Sequence, residues 1–374
     1  MKKIIRVIIR FFLTILMLIL DIFIISKIFK SELSMIIKSI GFSLILLTSI
    51  ILAINLLSNP TIKLNWFKKK SRKIRVSEKT PEFIQICNNL MSQYGGILEK
   101  SRYKVIEYIV LLAVILIIEF ILTIYIKINV KMLIPLYVLP VLILTLKIVN
   151  KRKQFFEDYK NNIIRELVSI INSKFQYEYN GNGQMCDKYM EADFKEEEFN
   201  TYESTDYICG QVNDNIKIYL SRISLLNCSE SGEVINTADT FLFAYNIVGF
   251  FSPNVVKIKK NKVINLIKDK VEMDSSEFEK YFDVVSDSRV VAMQILTHDV
   301  MQEIVYFYEK YNLNFEIVIK ENKIYIKFET GDVFKPSLFK KVIDNDLLWV
   351  YYNILDFTIS LSIRVNKVLE GLEI

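Results

Sequence analysis

Histidine, cysteine, glycine and proline are all scarce in this chain. The only histidine, His298, excludes a metal site built from several histidines, and any serine or cysteine nucleophile would depend on it. The four cysteines lack Cys-x-x-Cys spacing, so we interpret them as ordinary thiols. Ten glycines and six prolines in 374 residues exclude a fibrous chain, and 52% hydrophobic residues exclude a disordered one. No phosphate-binding loop or dinucleotide fingerprint is present, so the sequence predicts no cofactor, metal site or catalytic residue.

The net charge of +6 is the sum of two regions of opposite charge. Residues 1–150 carry 21 Lys and Arg against 7 Asp and Glu, whereas residues 151–374 carry 27 against 35. This division argues against a nucleic-acid-binding protein with one basic reading face. It is typical of a basic membrane part joined to an acidic soluble part.

Four apolar stretches approach the roughly 20 residues that a transmembrane helix needs. They cover residues 7–27, 39–62, 105–126 and 129–149, and the second of them contains 24 uncharged residues. The basic residues cluster before the first span, between the second and third, and after the fourth. Because cytoplasmic loops are enriched in Lys and Arg, an even number of spans with both termini in the cytoplasm is favoured.

The sequence therefore predicts an α+β protein with a four-helix transmembrane region followed by a cytoplasmic antiparallel-sheet domain with flanking helices. Residues 1–58 form a transmembrane hairpin in this prediction, 59–104 a basic cytoplasmic loop, 105–150 a second hairpin and 151–374 the cytoplasmic domain. The predicted location is the bacterial plasma membrane, crossed several times. Its predicted partners are membrane lipids and a protein partner at the membrane, with no nucleic acid; the oligomeric state is left open.

Two acids inside the predicted spans, Asp21 and Glu119, are candidates for a cation or proton site. The alternative is a protonated hydrogen bond between helices. Six basic residues are candidates for contacts with lipid headgroups, or they only enforce topology. These six are Lys68, Lys69, Lys70, Arg72, Lys73 and Arg75.

In the acidic region, hydrophobic periodicity predicts helices over residues 152–174, 298–312 and 342–370. Alternating β-branched and aromatic residues predict strands, with a hairpin over 315–329 that turns at Glu321 and Asn322. His298 falls at the start of a helix for which Thr297 is a plausible N-cap. We interpret the acidic groups of this region as a solvated face, because their spacing matches no cation-binding loop.

Two stretches carry a resemblance to a known family. The block VEMDSSEFEKYFDVVSDSRVVAMQILTHDVM spans residues 271–301, and VFKPSLFKK spans 333–341. They are similar to the bacterial membrane-anchored domain-of-unknown-function family three-one-three-seven. The matching positions of the first block are Glu277, Phe278, Phe282, Val284, Asp287, Leu296, Thr297 and Met301. Val291-Ala292-Met293 departs from the Glu-Ala-Arg that is frequent in the family. The resemblance implies a cytoplasmic α+β domain tethered to the membrane, and it implies no activity.

Three functional hypotheses follow. The first is an integral membrane protein of unknown function whose cytoplasmic domain is a non-enzymatic binding or regulatory module. The second is a lipid- or ion-handling membrane protein that uses Asp21 and Glu119. The third is an enzyme that acts at the membrane face, for which the sequence offers no catalytic motif.

Overall fold

A computed structural model describes most of the second half of the chain and part of the first. The described residues are 78–125, 130–181, 183–194, 199–228, 234–261, 270–330, 336, 338–339, 342–343 and 345–371. For residues 119–125, 130–138, 234–238, 250, 251 and 253, only the backbone is described. The chain divides into two compact units, one that includes Ile97–Asp158 and one that includes the described residues up to Gly96 and from Tyr159 onward.

The first unit contains parts of two 30-residue helices, and the second contains a seven-stranded sheet with shorter helices. The helices are α1 (Pro81–Leu90), α2 (Gly96–Tyr125), α3 (Val130–Tyr159), α4 (Arg165–Ile171), α5 (Gln184–Glu191), α6 (Ser276–Glu279), α7 (Arg289–Ile295), α8 (His298–Tyr311) and α9 (Asn345–Glu370). π-Helical turns at Met91–Gly95 and Lys160–Ile164 join α1 to α2 and α3 to α4. The strands are β1 (Gln176–Glu178), β2 (Thr201–Asn213), β3 (Ile216–Cys228), β4 (Val234–Lys260), β5 (Lys270–Val271), β6 (Phe282–Ser286) and β7 (Phe315–Phe328).

The sheet is antiparallel at every described pairing and is organised around the 27-residue strand β4. The strand order is β1-β2-β3-β4-β6-β5, and β7 also pairs with β4. β7 runs beside both halves of β4, from Leu242 opposite Phe328 to Ile258 opposite Ile317. The prediction of an antiparallel sheet with helices in the acidic region is confirmed.

The two faces of the sheet bury different side chains, because successive residues of a strand point to opposite sides. On one face, Phe241, Phe243 and Tyr245 of β4 pack with Tyr189 of α5 in an aromatic cluster. On the other face, Asn246 donates a hydrogen bond to Ser362 of α9 at 2.8 Å. The helices α8 and α9 therefore lie on the face opposite to α5.

The predicted transmembrane region is not supported by the structure. Among the residues that the structure describes, no helix has both the length and the apolar composition that crossing a bilayer requires. On this finding, we were wrong to predict an integral, multi-pass plasma-membrane protein with cytoplasmic termini. The first two predicted spans lie outside the described residues.

The predicted hairpin over residues 315–329 is also wrong. Phe315–Phe328 is one strand, and Glu321 adopts φ +57° within it. The pairing with β4 shifts register around Glu321, opposite Ser252, so the polar pair marks a bulge and not a turn. β4 is long enough to pair with both halves of β7. The strand β7 therefore continues through the bulge at Glu321.

Candidate functional site

A polar cleft of about 390 Å³ lies between α6, α8 and α9 in the second unit. Its walls combine carboxylates with one guanidinium and one aromatic ring. The lining residues are Glu277, Asp299, Gln302, Glu303, Val305, Tyr306, Glu309 and Arg364. With four carboxylates and one arginine, the lining carries a net charge of −3.

The helix α8 supplies most of the lining because its polar residues recur three or four positions apart. Asp299, Gln302, Glu303, Tyr306 and Glu309 share one face of the helix. The opposite face is buried and stacks Phe307 on Phe357 of α9, with ring centroids 4.1 Å apart. This packing holds the acidic face beside the arginine of α9. Tyr306 is 60% exposed, and the Lys310 ammonium lies 5.1 Å from the centroid of its ring.

Two of the four carboxylates are held by neighbouring side chains. Glu303 accepts a hydrogen bond from the Ser360 hydroxyl at 2.6 Å and lies 3.4 Å from the Arg364 guanidinium. Glu309 accepts a hydrogen bond from the Tyr281 hydroxyl at 2.7 Å. Glu277 and Asp299 form no hydrogen bond or ion pair with any described residue. These two carboxylates are therefore the ones that an incoming cation can bind without displacing a contact.

The negative charge of the cleft also affects a neighbouring acid on α9. Partial burial, followed by the charge of Glu303, raises the pKa of Asp356, whereas Lys310 acts in the opposite direction. An added positive charge in this region would favour the ionised form of Asp356. The cleft thus favours cationic groups over anionic ones.

A second group of charged side chains surrounds the buried carboxylate of Asp206 on β2. The Asp206 carboxylate is 0% exposed, and the Lys160 ammonium lies 2.8 Å from each of its oxygens. Tyr177 donates a hydrogen bond to it at 2.6 Å, and Arg222 lies 3.4 Å away. Burial, then the charge and hydrogen bond of Asp206, raises the pKa of Tyr177, which therefore donates as a neutral phenol.

The backbone around Asp206 is irregular on both sides of this contact. Asp206 adopts φ +57° at a register shift between β2 and β3, and Lys160 begins a π-helical turn. Such features persist only where the surroundings hold them in place. Because the carboxylate is inaccessible to solvent, we assign this cluster to the stability of the fold and not to ligand binding.

Most of the site residues predicted from the sequence cannot be compared with the structure. Asp21 and the six basic residues between Lys68 and Arg75 lie outside the described residues. Glu119 lies in α2, where only the backbone is described. All of them stay predictions.

The cleft itself was missed by the sequence prediction. The spacing of Asp299, Glu303 and Glu309 on one helix was its only signal, and the sequence could not place Glu277 or Arg364 beside them. His298 is exposed at the first residue of α8, where Thr297 occupies the N-cap position without a side-chain hydrogen bond. Among the described residues, no group of three His, Cys, Asp or Glu side chains is arranged to hold a metal ion.

Comparison with known proteins gives one family and one distant structural neighbour. No curated protein matches the chain. The crystal structure of the mycobacterial trehalose monomycolate transport factor A, TtfA, aligns with a TM-score of 0.32 and 10% identity, over 55% of this chain and 93% of that one. Residues 240–367, which contain every lining residue of the cleft, match the family model described as "Protein of unknown function (DUF3137)". This match confirms, over residues 240–367, the resemblance noted in the sequence.

Proposed function

We propose that the second unit is a recognition module whose cleft binds a positively charged segment of a protein. This proposal rests on the lining of the cleft. Three helices bring four carboxylates and one exposed tyrosine ring together around an open space. A chain segment rich in Lys or Arg supplies the complementary donors. Carboxylates accept the paired N–H groups of a guanidinium, and an aromatic face attracts a cation stacked on it.

The arrangement favours binding over catalysis. Glu277 and Asp299 offer acceptors, while Glu303 and Glu309 are already positioned by hydroxyl donors. Nucleophilic catalysis needs a nucleophile held beside a base. The described lining of the cleft contains no such pair. Arg364 lies 3.4 Å from Glu303 and limits the number of cations that can enter.

The affinity expected for a free peptide is low. Each exposed ion pair contributes about 0.2 to 1 kcal/mol, so four pairs contribute roughly 1 to 4 kcal/mol. The upper end corresponds to a dissociation constant of about 1 mM. Because these pairs are exposed, we expect added salt to weaken the binding strongly.

The proposal is tested by titrating the full chain with a hexa-arginine peptide at low salt and following thermophoresis of the labelled protein. The double variant Glu277→Gln/Asp299→Asn removes two negative charges from residues that form no described hydrogen bond or ion pair. We expect it to bind several-fold more weakly than the native chain.

The matched control is Glu178→Gln/Asp214→Asn, which removes two exposed charges at β1 and at the β2–β3 turn. We expect this control to bind the peptide as the native chain does. Equal weakening in both variants, or in neither, would overturn the proposal.

A further inference from the structure

We infer that helix α5 is a hinged cover, which opens from the sheet as a unit while the rest of the second unit stays folded. Two lysines of the sheet hold its C-terminal end, and its N-terminal end is the hinge. Opening uncovers a row of aromatic side chains on the sheet. The cover lies on the face of the sheet opposite to α8 and α9, so it is separate from the cleft.

Helix α5 has eight residues and packs against the sheet along one side. Its buried side chains are Met185, Cys186 and Tyr189, whereas Asp187 and Met190 are exposed. An isolated helix shorter than about 12 residues is marginal in water. Because α5 is shorter than this, it is helical only while it is docked, and it loses its helical hydrogen bonds when it leaves the sheet.

The N-terminal end of α5 is weakly held. Gly183 occupies the N-cap position and supplies no side-chain hydrogen bond to the first turn. A Cβ added to Gly183 would lie within 4 Å of no described atom, so the chain has room to move there. Since glycine adopts more backbone conformations than other residues, this end of α5 can act as a hinge.

The C-terminal end of α5 is tied to two strands by ion pairs, which we call the latch. The Lys323 ammonium of β7 lies 2.5 Å from the Glu191 carboxylate. The Lys257 ammonium of β4 lies 2.7 Å from the Asp193 carboxylate and donates a hydrogen bond to the Asp193 carbonyl oxygen at 3.2 Å. Because ion pairs at partly exposed sites are weak, the latch can break without unfolding the sheet.

The aromatic row beneath α5 is held by contacts within the sheet. Tyr245 of β4 lies opposite Tyr219 of β3 and Tyr325 of β7, with ring centroids 5.4 Å apart on both sides. The ring of Phe243 lies 6.3 Å from that of Tyr325, and α5 adds the ring of Tyr189, 5.4 Å from Phe243. Aromatic pairs at these distances stabilise one another, so the row keeps its arrangement when α5 opens.

Cys186, on the buried side of α5, reports the opening. It is 2% exposed, and burial raises the pKa of its thiol to about 12, so the closed state contains almost no reactive thiolate. In the open state the thiol is exposed and regains its ordinary pKa. Cys87 is 1% exposed on α1 and serves as the internal reference, because it becomes reactive without any movement of α5.

The first test labels the full-length chain with iodoacetamide and measures the rate at each cysteine by peptide mass spectrometry. The latch variant is Lys257→Met/Lys323→Met, which removes both cations and keeps apolar side chains of similar length. We expect Cys186 of this variant to react about three- to tenfold faster than in the native chain, as expected for the loss of two partly exposed ion pairs. Cys87 should keep its native rate.

The matched control is Lys259→Met/Lys260→Met. These two lysines of β4 interact with Glu316 and Asn314 and not with α5. We expect the control to leave the labelling rates of both cysteines unchanged. No acceleration in the latch variant, equal acceleration at both of its cysteines, or the same effect in the control would overturn the inference.

Hydrogen exchange of the native chain tests the hinged cover without any substitution. We expect the amides of residues 188–192, which donate within α5, to exchange together and at least about tenfold faster than those of residues 241–245 in β4. Equal or slower exchange in α5 would show that it leaves only when the whole unit unfolds, and would overturn the inference.

Discussion

Replacing Asp206 with asparagine removes the only negative charge from the buried cluster of β2 and β3. The Lys160 ammonium, with a side chain that is 7% exposed, and the Arg222 guanidinium, at 19%, then lose their shared partner. Breaking a buried ion pair by removing one partner costs about 3 to 5 kcal/mol. Asparagine keeps an acceptor for Tyr177 and tolerates φ +57°, so the loss reports the charge and not the backbone.

We expect Asp206→Asn to lower the free energy of unfolding of the second unit by about 3 kcal/mol, the lower end of that range. The assay is equilibrium denaturation of the full chain, followed by the fluorescence of Trp349, which is 2% exposed. Trp66 is replaced with phenylalanine so that a single tryptophan reports.

The control for this prediction is Asp239→Asn. Asp239 also pairs with a lysine, Lys327, at 3.6 Å, but its side chain is 47% exposed. Lys327 is only 10% exposed, but water reaches the Asp239 carboxylate, so we expect a smaller loss than for Asp206→Asn. A loss below about 1 kcal/mol for Asp206→Asn, or one equal to that of the control, would refute the assignment of the buried cluster to stability.

Three further predictions concern other parts of the second unit. Gly181→Ala should lower the melting temperature, because φ is +72° and a Cβ would lie 2.3 Å from a carbonyl oxygen of β2, whereas Gly183→Ala, with no atom within 4 Å, should not. Burial raises the pKa of Glu191, but hydrogen bonds from Lys188 and Lys323 dominate and lower it from 4.5 to about 2. The native chain should therefore lose stability as pH falls through that interval, and Glu191→Gln should lose less when its unfolding is followed over the same range. Burial raises the pKa of Cys87 to about 11 and that of Cys186 to about 12, so iodoacetamide at pH about 8 should label both far more slowly in the folded than in the denatured chain.

Much of the secondary structure of the second unit follows from sequence periodicity. The predicted helix over residues 298–312 is observed as His298–Tyr311, and that over 342–370 includes Asn345–Glu370. Both helices bury a continuous apolar stripe, which produces a strong 3.6-residue period. Burial in β3 largely alternates, as a period of two predicts, whereas β6 is buried at four of its five residues and shows no such alternation.

The errors come from features that depend on distant parts of the chain. Glu321 looks like a turn in the sequence, but it is a bulge because β4 continues beside it. Asp206 gives no signal in the sequence, since Lys160 and Arg222 reach it only through the sheet and the π-helical turn. The third and fourth predicted spans, residues 105–126 and 129–149, overlap α2 and α3, and among the described residues neither helix has the apolar length that a span requires.

The cleft was only partly visible in the sequence for the same reason. Asp299, Glu303 and Glu309 recur on one helical face, which an exposed helix without a ligand also shows. Glu277 on α6 and Arg364 on α9 come from distant parts of the chain, and they complete the lining only when those helices pack against α8. The site is therefore a property of the packing of three helices.

Reversing the charge of the cleft tests the central claim most directly. The full-length variant Glu277→Lys/Asp299→Lys is titrated at low salt with hexa-arginine and with hexaglutamate, beside the native chain and a Glu178→Lys/Asp214→Lys control. We expect the cleft variant to lose hexa-arginine binding and to gain hexaglutamate binding, while the control keeps the native preference. A cleft variant that retains the native preference, or a control that reverses it to the same extent, would contradict the claim that this cleft recognises cationic segments.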